Sequence, residues 1–176
     1  LEYWNFAKSK YTSVINTDSS NNISDSGEIH PFLRPFRQRQ EYLMLQKPDV
    51  LLDCAKRTDK PLVHLDGDAL IVNRIDDVLE YDYDIAITIR PPEERADKSS
   101  TGPINAGFIS FKTTDFEKIK SFIEAWKDEI RSNDERFVEQ AGLSRLVSKA
   151  GGSIFEGYYN RGMINLNGIS VDVMSL

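Results

Sequence analysis

The chain has 176 residues, 40% apolar and 28% charged, which is the profile of an ordinary globular protein long enough for one domain and a sizeable core. Its net charge of −6 argues against a general nucleic-acid binder, whose electrostatic footprint would be basic. No apolar run approaches the roughly 18 residues of a membrane span, no signal peptide is visible, and a single cysteine excludes an internal disulfide. That residue, Cys54, falls in an apolar helical stretch and reads as a buried thiol, a usage that fits the cytoplasm or another reducing compartment. Leu at position 1 in place of Met marks a processed product or a fragment, so an anchor or partner domain outside the chain stays open.

In chain order, Tyr3 to Lys10 reads as the end of a helix, Thr12 to Asn16 as a strand, and Asp18 to Gly27 as a polar loop. A helix is expected from Phe36 to about Gln46, and Pro48 opens a second one through Arg57, since proline is tolerated in a first turn. Pro61-Leu62-Val63-His64-Leu65 reads as a short buried strand that runs into Asp66-Gly67-Asp68, after which Ala69-Leu70-Ile71-Val72 resumes the apolar pattern. Asp84 to Ile89 is a further strand. Arg90 to Gly102 is a charged, proline-containing loop expected to be mobile. Ile104 to Phe111 is a strand interrupted by Asn-Ala-Gly.

Thr114 with Glu117 forms a capping box for a helix whose Phe116, Ile119, Phe122, Ile123, Trp126 and Ile130 share one face. Another helix runs from about Asp134 to Ala150 and is stopped by Gly151-Gly152; loop and one last strand, Ile169 to Val173, complete the chain. Strands alternating with helices predict a single α/β domain over residues 1–176 with a mostly parallel sheet flanked by helices.

Two carboxylates two residues apart at the edge of a buried strand are costly unless a cation is held there. A divalent metal shared with a phosphorylated substrate meets that need, because hard cations take carboxylate, phosphate and water oxygens together. The competing reading is an Asp-Gly-Asp turn that caps the strand. Asn105-Ala106-Gly107 has its own plain reading as a bulge, since Gly within a strand often marks one. Lys47 and Glu139 can be surface helix charges. His64 is expected to point to the opposite sheet face from the acidic pair, as a core residue. His30 lies in a loop, and nothing marks it as catalytic.

Taken in order, Lys47-Pro48, Asp66-Gly67-Asp68, Asn105-Ala106-Gly107 within Ile104 to Phe111, and Glu139-Gln140 with Leu143 and Leu146 resemble the nucleotide-diphospho-sugar transferases of the GT-A fold. The resemblance spans roughly Lys47 to Leu146. It implies a Rossmann-like sheet, compact or shortened at its N-terminus, in which Val14 to Asp18 serves as first strand if one is kept. The implied activity is metal-dependent transfer of a sugar from a nucleotide diphosphate, a UDP-sugar foremost, to a hydroxyl of a glycan or glycoprotein acceptor. Asp68 would bind Mn²⁺ or Mg²⁺; Asp66 would bind the ribose, the metal, or both. Asn105, Ala106 and Gly107 would line the donor sugar, Glu139 and Gln140 would face the reacting centre, and Lys47 would offer a cation to a phosphate or sugar oxygen.

Some families of this fold carry a late histidine as third metal ligand. No histidine follows His64, so that ligand is absent, is water, or is replaced by another residue such as Asp172. Inverting and retaining chemistry both stay open; Glu139, Asp134 and Asp172 are the carboxylates an inverting base would draw on. Arg90 or Arg95 would add a cation to the leaving diphosphate, and Tyr158-Tyr159-Asn160-Arg161 is either an acceptor-site loop or packing. Two alternatives remain beside transfer. One is a non-catalytic nucleotide-sugar-binding module, and the other a metal-dependent nucleotidyltransferase or phosphohydrolase.

Overall fold

The computed structural model describes residues 44–71, 74–91, 102–131, 138–151 and 162–175. The chain divides into two units, Leu1–Arg37 and Gln38–Leu176, and every described residue belongs to the second. The helix and strand expected before Asn16, the loop to Gly27, most of the helix from Phe36, and His30, Arg95, Asp134 and Tyr158 to Arg161 lie outside the described residues.

Helix α1 (Lys47–Lys56) is followed by β1 (Leu62–Leu65), a 3-10 turn (Asp76–Glu80), β2 (Ile85–Ile89) and β3 (Ile104–Phe111). Helices α2 (Phe116–Arg131) and α3 (Val138–Gly151) come next, then β4 (Gly162–Leu166) and β5 (Ile169–Ser175). The strands form one sheet in the order β1-β3-β2-β5-β4. Three neighbouring pairs are antiparallel and only β2 with β5 is parallel, so the expected mostly parallel, Rossmann-like sheet is not what the chain forms.

The physical reason lies in the connections. Parallel neighbours need a crossover, usually a helix. Both helix crossovers, α2 and α3, fall between β3 and β4, so they serve a single parallel contact, β2 with β5. β2 and β3 join without a described helix and run antiparallel, their ends closed by Arg90 N–H donating to Pro103 O at 2.8 Å. Strand β4 was not anticipated at all. Its signal is Asn167-Gly168, both in the left-handed region (φ 52 and 87), which makes the two-residue turn that matches strand twist and closes a β4–β5 hairpin.

One face of the sheet carries the main core. Ile85, Ile87, Ile109, Phe111, Val171 and Val173 are fully buried against α1, α2 and α3. On α2 the expected stripe holds: Ile119, Phe122, Ile123, Trp126 and Ile130 are buried, with Phe116 partly so, each worth about 1.5–3 kcal/mol of transfer free energy. Its cap is Asp115 rather than Thr114, for the Asp115 carboxylate accepts the Glu117 N–H at 3.0 Å. The opposite sheet face holds a smaller cluster of Tyr83, Ala86, Phe108 and Met174. Cys54 is half-buried rather than buried, because α1 turns Leu51 and Ala55 to the core. Nor does the apolar pattern after Asp68 continue a strand. Leu70 and Ile71 are 83% and 54% exposed.

Candidate functional site

The site is assembled at the C-terminal end of β1. Helix α1 brings Lys47 there because Lys47, Leu51 and Ala55 recur every four residues and so share the helix face that packs on the sheet. Lys47 Nζ donates to Asp66 Oδ1 at 2.9 Å and to Ala106 O at 3.4 Å, and lies 3.9 Å from Glu139 Oε1. Two of the ammonium's three donors are engaged by Asp66 and Ala106, and Glu139 lies at ion-pair distance beyond them. Lys47 therefore stands between two carboxylates rather than facing open solvent.

Glu139 reaches the site by the same periodicity. With Leu143 and Val147 it forms the buried stripe of α3, and its backbone carbonyl accepts the Trp126 indole N–H at 2.6 Å. Glu139 is only 4% exposed, and among the described residues its Oε2 has no hydrogen-bond partner. A buried acceptor left in that state costs about 1–3 kcal/mol, which points to a function outside folding. Gln140, next along the helix, accepts the Ala106 N–H through Oε1 at 3.5 Å.

β3 contributes the middle of the site. Its register against β2 slips between Ile87, opposite Ile109, and Thr88, opposite Asn105, so Ala106-Gly107-Phe108 bulges from the ladder. The bulge and the candidate site are one structure. It frees Gly107 N–H to bond Asn105 Oδ1 at 2.8 Å while Gly107 O accepts the Asp66 N–H at 2.9 Å. A Cβ on Gly107 would lie 2.9 Å from Asn105 Oδ1 and 3.2 Å from Asp66 Oδ2. Glycine thus leaves a small gap into which both oxygens project.

Asp66 differs from Asp68. Asp66 is half-buried, and its carboxyl is lowered from an ordinary 3.8 to about 2. The His64 hydrogen bond does most to lower it; burial pushes the other way, and the Lys47 bond and charge add to the lowering. Both donors act on Oδ1, with His64 Nε2 at 3.1 Å, and this leaves Oδ2 toward the Gly107 gap. Asp68 is exposed in the turn closed by Ala69 N–H to Asp66 O at 3.0 Å. The burial cost expected of an acidic pair at this strand end is absent: one carboxylate is paired and the other is in water.

His64 corrects the expectation that it faces away from the acidic pair. Side chains two apart on a strand share a face, so the signal was legible in the spacing of His64 and Asp66. Asp172 corrects another. It is buried opposite Ala86 on the far face of the sheet, three strands from β1 or about 14 Å by strand spacing, and so is no third ligand beside Asp66.

As a metal centre, the donors are few. Among the described residues no three His, Cys, Asp or Glu side chains cluster as a cage. Mg²⁺ and similar ions are commonly held by one or two carboxylates plus substrate phosphates, and Asp68 with Asp66 Oδ2 fits that mode only. No described helix is long and apolar enough to cross a membrane. Compared with protein-family models, with curated proteins and with solved structures, the chain gives no match in any of the three.

Proposed function

We propose that this chain is a metal-dependent glycosyltransferase that takes a sugar from a nucleotide diphosphate, a UDP-sugar foremost, and passes it to a hydroxyl of a glycan or glycoprotein. The observation that carries this reading is convergence. Lys47, Asp66, Asn105-Ala106-Gly107 and Glu139-Gln140 come from four separate stretches, yet direct bonds link them at one strand end. The reading rests on this site alone, since the sheet is not of the expected type.

In this reading Asp68, with Asp66 Oδ2, holds Mn²⁺ or Mg²⁺. Held there, such an ion would supply charge neutralisation to a departing diphosphate. Asn105, Ala106 and Gly107 border the donor sugar, and the glycine admits it closely. Glu139 Oε2 and the Gln140 amide oxygen face the reacting sugar, where a nearby oxygen stabilises oxocarbenium character. Lys47 works mainly through the carboxylates it stands between, since two of its donors are engaged by Asp66 and Ala106.

Thermal shift with a panel of nucleotides tests the reading. UDP with Mn²⁺ near 100 times its Kd adds about 2.7 kcal/mol. At roughly 2–4 °C per kcal/mol for a chain of this size, the melting point rises about 5–10 °C. Slow release of free sugar from a UDP-sugar marks catalysis, whereas an unchanged melting point with every nucleotide overturns the reading.

A further inference from the structure

His64 occupies a place where the strand pattern asks for an apolar side chain. Its neighbours in β1 are Leu62, Val63 and Leu65, and it lies opposite Ile109 of β3, which is fully buried. The polar contact described for it is with Asp66, whose Oδ1 lies 3.1 Å from His64 Nε2. An ionised carboxylate only accepts, so the hydrogen of this bond is on Nε2.

Asp66 is held from three directions. Lys47 of α1 donates to the same Oδ1 at 2.9 Å, and the Asp66 N–H is fixed to Gly107 O of β3 at 2.9 Å. Aspartate has two side-chain torsions, so a fixed backbone and two bonds on one oxygen leave the other oxygen a single direction. That oxygen, Oδ2, borders the gap at Gly107, 3.2 Å from where a Cβ would stand. Lys47 does not set this direction by itself. Its ammonium sits on a flexible four-carbon stem, also serves Ala106 O, and lies 3.9 Å from Glu139. Imidazole is a planar ring with its N–H in the ring plane, and it can donate while neutral, adding no second full positive charge beside a cation's place.

We propose that His64 is a positioning residue, which fixes the Asp66 carboxylate so that Oδ2 alone is presented to the divalent cation of a nucleotide diphosphate. The inference rests on the glycosyl-transfer reading and deepens it. Partners that hold a metal ligand from behind typically change metal affinity about 10–100-fold when removed. The loss is one of orientation. Without His64 the carboxylate is free to turn about its Cβ–Cγ bond, and the cation meets it in many attitudes. A packing role predicts otherwise, since an apolar side chain serves equally well in this apolar strand.

The test is calorimetric titration of the full chain with UDP, in Mn²⁺ and in chelator, for wild type, His64→Leu and His64→Gln. Glutamine carries an N–H donor near the place of the imidazole Nε2, whereas leucine packs and donates nothing. In His64→Leu the affinity for UDP in Mn²⁺, and for Mn²⁺ at fixed UDP, is expected to fall about 10–100-fold, while His64→Gln stays within about threefold of wild type. The weak binding of UDP in chelator is expected to be equal in all three. A structural role alone would move the melting point in chelator and leave the Mn²⁺ dependence in place. Should His64→Leu melt too low to titrate, His64→Phe, which keeps a planar ring without the donor, is read in its stead. Undiminished Mn²⁺ dependence in the variant without a donor overturns the inference and leaves nucleotide binding intact. So does a loss in His64→Gln as deep as in His64→Leu, or a loss equally large in chelator. Wild type silent toward UDP with Mn²⁺ overturns the function reading and the inference together.

Discussion

Replacing Lys47 with methionine keeps the length and apolar stem of the side chain and removes its charge. The lysine is 14% exposed and is paired with Asp66 at 2.9 Å and Glu139 at 3.9 Å. Removing one partner of a fully buried pair costs about 3–5 kcal/mol, whereas exposed pairs are worth about 0–1. Asp66 is 40% exposed at its side chain, so water takes up part of the loss there, while Glu139 at 6% has no such relief. A cost of about 2 kcal/mol is expected between these limits, or roughly 4–8 °C in Tm. Urea unfolding at pH 7 in chelator measures it. The same substitution made on Asp66→Asn with Glu139→Gln should cost less than about 1 kcal/mol, because the stranded charges are gone. Acid titration adds a second reading. With a folded pKa near 2 against an ordinary 3.8, Asp66 contributes stability above about pH 4 that is lost as pH falls toward 2. In Lys47→Met part of that acid loss disappears. Equal cost in both backgrounds, with an unchanged acid limb, would refute the idea that Lys47 serves the two carboxylates.

Asp68→Ala should abolish Mn²⁺-dependent UDP binding yet change stability by no more than about 0.5 kcal/mol, since the side chain is exposed in a turn; calorimetry and melting read the two effects separately. Gly107→Ala should weaken donor binding more than UDP binding, because its Cβ enters the gap 2.9 Å from Asn105 Oδ1 and displaces that carboxamide or Asp66; equal weakening of both ligands counts against the sugar lying there. Asp84 is held below the usual carboxylate range: burial opposes this, but bonds from Lys118 at 2.8 Å and from Ser170 N–H and Oγ outweigh it. Its stability is present above the unfolded carboxylate pKa near 3.9 and lost as pH falls below it, so Asp84→Asn should flatten that part of the acid unfolding curve.

Where a residue's position depends on its own segment, the sequence was a sound guide. The α2 stripe follows from the 3.6-residue period, and the bounds of β3 follow from an apolar run between loop residues. Lys47 and Glu139 could be placed on buried helix faces from Leu51, Ala55, Leu143 and Val147 alone, and the shared face of His64 and Asp66 was equally written in their spacing, although the opposite was expected. The turn signal of Asn167-Gly168 was also local, but the reading of that stretch as loop missed the hairpin it closes. Strand direction was beyond local pattern, because a buried strand reads alike whether its neighbour is parallel or antiparallel, and only the routing of α2 and α3 leaves β2–β5 as the parallel pair. The division of labour between Asp66 and Asp68 was likewise a tertiary matter. Two residues apart in one turn, they differ because Lys47 and Gly107, contributed by α1 and β3, close over one carboxylate and leave the other in water.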